Sequence, residues 1–430
     1  MGSNREETSP LADALARGLS NGTDLKEELN ALSNDTLTSE TDARVLSRAL
    51  GELSIGLISD EDSSLFRMLL GFFQGVESRE AYDIVRSEGV PHLLAVFDAK
   101  LDRIDPEGDS AETLLFLLKI VSLYRHEGVV ERVEAAARRP LKPGSYLWSV
   151  LFDTFDETHP YRISVLNRLR EPLPPEFIGV SYLDLANTSA REGYLSTHPF
   201  DTSEGWERLR GMLADMSNPS HAASASAALS FISRPVRDQL VTLAMVHDST
   251  GVQLEAARAS AKAGSEAGLQ SLVRICKDSR HSLAASHYLT ELGHGGLIPS
   301  EALAPDFMAI AAMSAWLAHP MEYGRPPTAL ELVDSREIFW PPTNDLRRLW
   351  LVAYRYDSGG RGPSEKIEHG VGLVGSMTFS LHGEVTREMT PEDIYALHCC
   401  WELEVNHDPR TPANRTIPAG RSLLSFGAPL

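Results

Sequence analysis

Residues 224–249 read SASAALSFISRPVRDQLVTLAMVHDS, and residues 255–279 read EAARASAKAGSEAGLQSLVRICKDS. Laid over each other, they share an Ala-rich opening, a short break and a second segment with Leu, Val and Ile at helical spacing. The pair Asp248-Ser249 returns as Asp278-Ser279, which sets a period of 30 residues. A third, partial copy, LAASHYLTELG, begins at Leu283. One such hairpin leaves its apolar stripe open to water, so copies must stack to bury it. The stretch from Asn218 to Gly293 therefore predicts stacked antiparallel helix pairs.

Within it, VQLEAARASAKAGSEAGLQSLVRICKD (residues 252–278) resembles the short HEAT-like repeats also found in phycobilisome lyases. The resemblance implies an architecture, an armadillo-type α-α superhelix, and no activity. Similar arrays serve as DNA-repair glycosylases, which want a basic concave face, and as chromophore lyases, which need a bilin cleft. The charge of this chain opposes the first, and no sequence feature marks the second.

Toward the N-terminus the helical signals continue in a weaker register. Residues 1–22 are polar and read as a flexible tail. Ser39-Glu-Thr-Asp42 has the capping-box pattern, followed by Val45, Leu46, Ala49 and Leu50 as an apolar stripe. Ser78 opens another helix, which Glu88-Gly89-Val90-Pro91 is expected to stop. The run LLFLLKIVSLY before Arg125 is apolar on most sides and reads as a buried helix. Between Glu171 and Phe200, four prolines suggest an irregular join, and Thr202-Ser203 opens the next helix.

The pattern changes at His319. Pro320, Pro326, Pro327, Pro341 and Pro342 suit a linker or an extended segment. LWLVAYRY, Leu349 to Tyr356, alternates as a strand with Trp350, Val352, Tyr354 and Tyr356 on one face. GVGLVGSMTFSL, Gly370 to Leu381, is a second strand-like run. Thr390-Pro391-Glu-Asp393 is a strong helix start, with Thr390 as N-cap and Pro391 in the first position. The expected organisation is mainly α: a HEAT-like solenoid over 23–317, a small α+β module over 318–408, and a flexible tail over 409–430.

Composition narrows the function. The formal net charge is −20, from 60 acidic and 40 basic residues. That balance opposes binding of a nucleic-acid backbone and favours a basic protein or peptide partner. No apolar run reaches the length of a membrane span, and the start MGSNREETSP has no signal-peptide core. Three cysteines, Cys276, Cys399 and Cys400, read as reduced thiols of a cytoplasmic protein.

Candidate chemistry concentrates near the C-terminus. Gly370-Val-Gly372-Leu-Val-Gly375 matches the dinucleotide fingerprint, but that mechanism needs a helix N-terminus after the glycines. SMTFS follows instead, so glycines that admit a close neighbour are the simpler reading. His398 lies one turn before Glu402, so a general base with its carboxylate is conceivable, as is a core histidine satisfied by a glutamate. Cys399 as a nucleophile would need a histidine from elsewhere. Ligand-contacting candidates are Trp350, Tyr354, Trp401 and His382. No HExxH, CxxC or Walker loop occurs, so no metal or cofactor is expected. The reading favoured by these features is a non-catalytic scaffold that binds a protein or peptide. The alternative is an enzyme or small-ligand sensor centred on His398 and Glu402.

Overall fold

The computed structural model describes residues 39–59, 64–76, 78–319, 321–357, 368–381, 383–386 and 388–426, together with Pro10, Leu11, Ala14, Leu15 and Leu32. Among these the chain is mainly helical, with a four-stranded antiparallel sheet near the C-terminus. It separates into two units, residues 1–240 and 241–430. This boundary falls inside the region expected to be one array, not at the expected junction near residue 318.

In the first unit, α1 (Glu40–Ser59) begins at the predicted cap, where Ser39 Oγ accepts from the Asp42 amide at 3.1 Å. After α2 (Ser64–Phe72), α3 (Arg79–Ile84) starts at Ser78 as expected, but it does not stop at Gly89. It passes through a π turn, Val85–Gly89, directly into α4 (Val90–Leu101). Pro91 has no N–H to offer the carbonyl one turn back, so the ladder widens instead of ending. There follow α5 (Asp109–Leu123), α6 (Val129–Arg138), α7 (Leu147–Asp153) and α8 (Arg162–Arg168). The proline-rich join is largely a helix, α9 (Glu176–Arg191), because Pro172, Pro174 and Pro175 all precede its first turn. The unit continues with α10 (Ser203–Ala214), capped by Thr202, and α11 (Pro219–Ala228). A short helix, α12 (Val236–Met245), carries the boundary between the units.

One spacing recurs in the polar contacts of this unit. Arg132 reaches Asp98 34 residues back at 2.6 Å, Arg168 reaches Glu134 at 3.2 Å, and Arg162 meets Glu192 at 2.5 Å. Thr154 bonds Ser122 at 2.6 Å, and Ser233 bonds Asp201 at 2.5 Å. Each bond joins residues 30 to 34 positions apart. The second unit repeats the habit: Arg258 of α13 (Thr250–Lys262) meets Glu291 of α15 (Ser282–Glu291) at 2.9 Å. Between them α14 (Glu266–Ile275) packs through Leu269, Leu272 and Ile275 into the same core as Leu254, Ala257 and Leu289.

The rest of the second unit is a three-layer arrangement. The sheet runs in the order β1 (Ala329–Trp340), β2 (Asp345–Tyr356), β3 (Glu368–Val374), β4 (Phe379–Ser380). The segment read as a linker or extended stretch thus holds β1, a twelve-residue strand. The prolines bracket β1 (Pro326 and Pro327 before it, Pro341 and Pro342 in the hairpin) and leave its own amides free to pair with β2. The second predicted strand breaks at Gly375, whose φ of +114° turns the chain. Val352, Tyr354 and Tyr356 pack on α16 (Pro305–Leu317), while Leu349, Leu351 and Leu373 face α17 (Pro391–Val405). The expected flexible tail contains α18 (Ile417–Phe426), whose Ile417, Leu423 and Leu424 lie against the α17 core. Pro418 falls in its first turn, where no amide partner is lost. The prolines of this segment therefore begin a helix and do not prevent one. Among the described residues no helix is long and apolar enough to cross a membrane.

Candidate functional site

The predicted cap positions α17 as expected: Thr390 Oγ1 accepts from the Asp393 amide at 3.3 Å. The helix itself is more deeply covered than one apolar stripe would require, since the sheet takes one side and α18 the other. Ile394, Tyr395, Leu397, Cys399, Cys400 and Leu403 are all buried.

His398 and Glu402 sit in this core and do not act on each other. Glu402 is 1% exposed; its two oxygens accept from Trp340 Nε1 at 2.9 Å and Ser376 Oγ at 2.6 Å. His398 is fully buried against the Phe379 ring, 4.3 Å between centroids. Neither of its ring nitrogens has a hydrogen-bond partner among the described residues. Burial, with Arg415 nearby, holds its pKa down to about 3, so the ring is neutral. A general base needs a path to substrate, and this pair has neither mutual contact nor an opening. Cys399 is likewise sealed, its thiol pushed up to about 12 chiefly by burial, the reverse of an activated nucleophile.

The neutral, unpartnered imidazole gives a prediction. The unfolded chain takes up a proton on His398 near pH 6.5, whereas the folded chain takes it up only near pH 3. Folding stability must therefore fall as pH drops from about 6.5, at up to about 1.4 kcal/mol per pH unit from this group. His398→Leu removes the term, and its melting temperature is expected to decline less than that of the parent between pH 6.5 and pH 4.5. Equal declines would mean that the ring is already charged in the fold.

The aromatic candidates are also structural. Tyr354 is 2% exposed and bonds Ser380 Oγ at 2.5 Å. Trp350 Nε1 donates to Asp306 of α16 at 2.8 Å, and Trp401 stacks on Phe379 at 4.3 Å. His382 lies outside the described residues. The GxGxxG glycines lie in β3 and the turn after it: a Cβ at Gly372 would meet Met313 Sδ and the Phe379 carbonyl, each at 2.8 Å. Close approach explains them, and no helix follows to receive a phosphate. No cluster of three metal-type ligands occurs among the described residues.

A concave feature of this unit lies elsewhere. A cavity of about 600 Å³ is lined by Arg336, Glu337, Ile338 and Phe339 of β1, by Leu346, by Glu392 and Tyr395 of α17, and by Arg421, Leu424 and Ser425 of α18. Four consecutive residues of a strand face both ways, so the groove opens on the edge of β1. That edge pairs with no other strand among the described residues. The floor is apolar, and Leu346 is 61% exposed. Arg336 is already committed, to Asp334 at 2.5 Å and Glu392 at 2.7 Å, and Arg421 to Asp393 at 2.6 Å. Their guanidinium charges are therefore internally met, whereas Glu337 forms no ion pair among the described residues. Sequence reading missed this site because its parts come from three separated segments; the adjacent Leu423-Leu424 near the end was the one local hint. No protein-family model matches the chain, and neither does any curated protein or solved structure.

Proposed function

We propose that this chain is a peptide- or protein-binding scaffold of stacked HEAT-like helix pairs, and that the groove beside β1 is where it takes an extended segment of its partner. The observation that carries the reading is a strand edge, unpaired among the described residues, lying along an apolar-floored groove. An exposed edge offers a row of amide and carbonyl groups, and a neighbouring pocket selects side chains, which together are the requirements of strand addition. Support for the stacked pairs comes from the 30-residue sequence period and from the side-chain bonds that recur about one repeat apart. The occupant that fits is an extended peptide with one apolar anchor and a basic neighbour opposite Glu337, in keeping with the net charge of −20.

Peptides selected by display against the full chain test this. Leu346→Asp replaces an exposed side chain, so the fold should hold, yet the anchor loses an apolar contact worth about 1.5 kcal/mol or more. Binding is expected to weaken at least about tenfold. Selected peptides that bind Leu346→Asp as well as the parent would place recognition elsewhere. The enzyme alternative has no observation in its favour, since His398 and Glu402 are closed off.

A further inference from the structure

We infer that the first unit carries a phosphomonoester-binding site, built from Arg79, Arg86 and Arg125 around Tyr82. A cavity of about 750 Å³ opens where the start of α3, the turn after α5 and the loop before α8 meet. Three guanidinium groups line it with the hydroxyl-bearing Ser78 and Thr158, and no carboxylate is among its lining residues. This is a local concentration of positive charge on a chain whose net charge is −20.

Nearby acids take part of that charge. Asp83 holds Arg79 at 3.1 Å, and Asp156 lies 3.5 Å from Arg125. Arg86 is different: it donates to the Arg125 carbonyl at 3.3 Å and makes no ion pair among the described residues. A neighbouring cavity shares Arg86 and adds Asp83 and Glu127, neither within ion-pair distance of it. One guanidinium is therefore surplus, and it lines the same cavity as the other two.

The backbone is unusual at both inner arginines. Arg86 lies on the π turn that interrupts α3 and α4, a widening of the ladder that re-aims side chains and is frequent at functional sites. Arg125 has a φ of +50°, a conformation rarely taken by a residue with a Cβ. Arg125 is fixed there by Thr158, whose Oγ1 accepts from it at 2.5 Å and whose carbonyl accepts at 3.3 Å. Two separate departures from regular backbone thus bring guanidiniums to one opening.

The chemistry of the donors selects the anion. The Ser78 and Thr158 hydroxyls already donate to Glu80 and Asp156, so the guanidinium forks carry the selection: three of them offer more donors than the two oxygens of a carboxylate can use, and they suit a phosphate with three terminal oxygens. The cavity is larger than a phosphate alone. Its remaining wall is the edge of the Tyr82 ring, stacked on Tyr124 at 5.0 Å, with Leu123 38% exposed beside it. An apolar or aromatic body attached to the phosphate would lie on that wall.

Calorimetric titration of the full chain at low salt tests the assignment, with phenyl phosphate, a phosphotyrosine peptide and benzoate as probes. Saturable binding of phenyl phosphate is expected, at least tenfold tighter than benzoate and weakened at least tenfold by Arg86→Gln. Arg86 is exposed, so that variant should fold; Arg79→Gln, at a site 78% exposed, is a second variant with the same expected direction. A phosphotyrosine peptide binding tighter than phenyl phosphate makes the ligand a modified protein, and the reverse order makes it a small ester. No saturation by either phosphate, equal affinity for benzoate, or indifference to both substitutions overturns the site.

Discussion

Glu402→Ala is expected to lower the stability of the second unit by about 3–5 kcal/mol, and Glu402→Gln by about 1 kcal/mol. The carboxylate is 1% exposed and accepts from Trp340 Nε1 and Ser376 Oγ, so deletion strands an indole N–H on a side chain that is itself fully buried. An unmet buried donor costs about 1–3 kcal/mol, and the vacated volume adds a cavity term of similar size. Gln keeps an acceptor for the indole, and the Ser376 hydroxyl can rotate to accept from its amide, so most of the loss is avoided. Denaturant unfolding followed by tryptophan fluorescence reads this directly, because Trp340, Trp350 and Trp401 all belong to the sheet and its helices. A carboxylate held for catalysis would give the opposite ordering, with the alanine variant folding as well as or better than the parent. That outcome would reopen the enzyme reading.

What the sequence made legible was whatever depended on neighbours along the chain. Thr390, Pro391 and Asp393 announce the start of α17, Ser39 announces α1, and the alternation from Trp350 to Tyr356 announces β2, whose Val352, Tyr354 and Tyr356 do share one face. These signals are local because caps and pleats are local. β1 was lost because prolines mark both of its ends and its exposed edge leaves only a weak apolar alternation. The reactive-looking cluster on α17 misled for a related reason. His398 and Glu402 lie on the side of α17 that the sheet covers, through Phe379, Trp340 and Ser376, and nothing within residues 391–405 reveals that layer. Both cavities are assembled across long separations: residues 336–339 with 421–425 in one, and Arg79 with Arg125 and Thr158 in the other. Periodicity along one helix carries no information about such meetings.

Gly420→Val is expected to detach α18 and to abolish peptide binding in the groove, while lowering global stability by only about 2–3 kcal/mol. A Cβ at this position would overlap the Ala396 carbonyl oxygen and lie 2.5 and 2.7 Å from that residue's carbonyl carbon and Cα. These are backbone atoms inside α17 and cannot swing aside, so the helices must part. Parting withdraws Ile417, Leu423 and Leu424 from the core and removes Arg421, Leu424 and Ser425 from the groove. The cost is bounded because α18 lies at the edge of the unit and can leave without unfolding the sheet. Gly71 on α2 is the control: nothing among the described residues lies within 4 Å of its would-be Cβ, so Gly71→Ala should be neutral or slightly stabilising. Hydrogen exchange should then show lost protection over residues 417–426, with β2 and β3 still protected, alongside at least about tenfold weaker binding of a selected peptide. The two readouts separate the structural claim from the functional one. Lost protection with undiminished binding would keep α18 as a packing element and remove the groove as the recognition site.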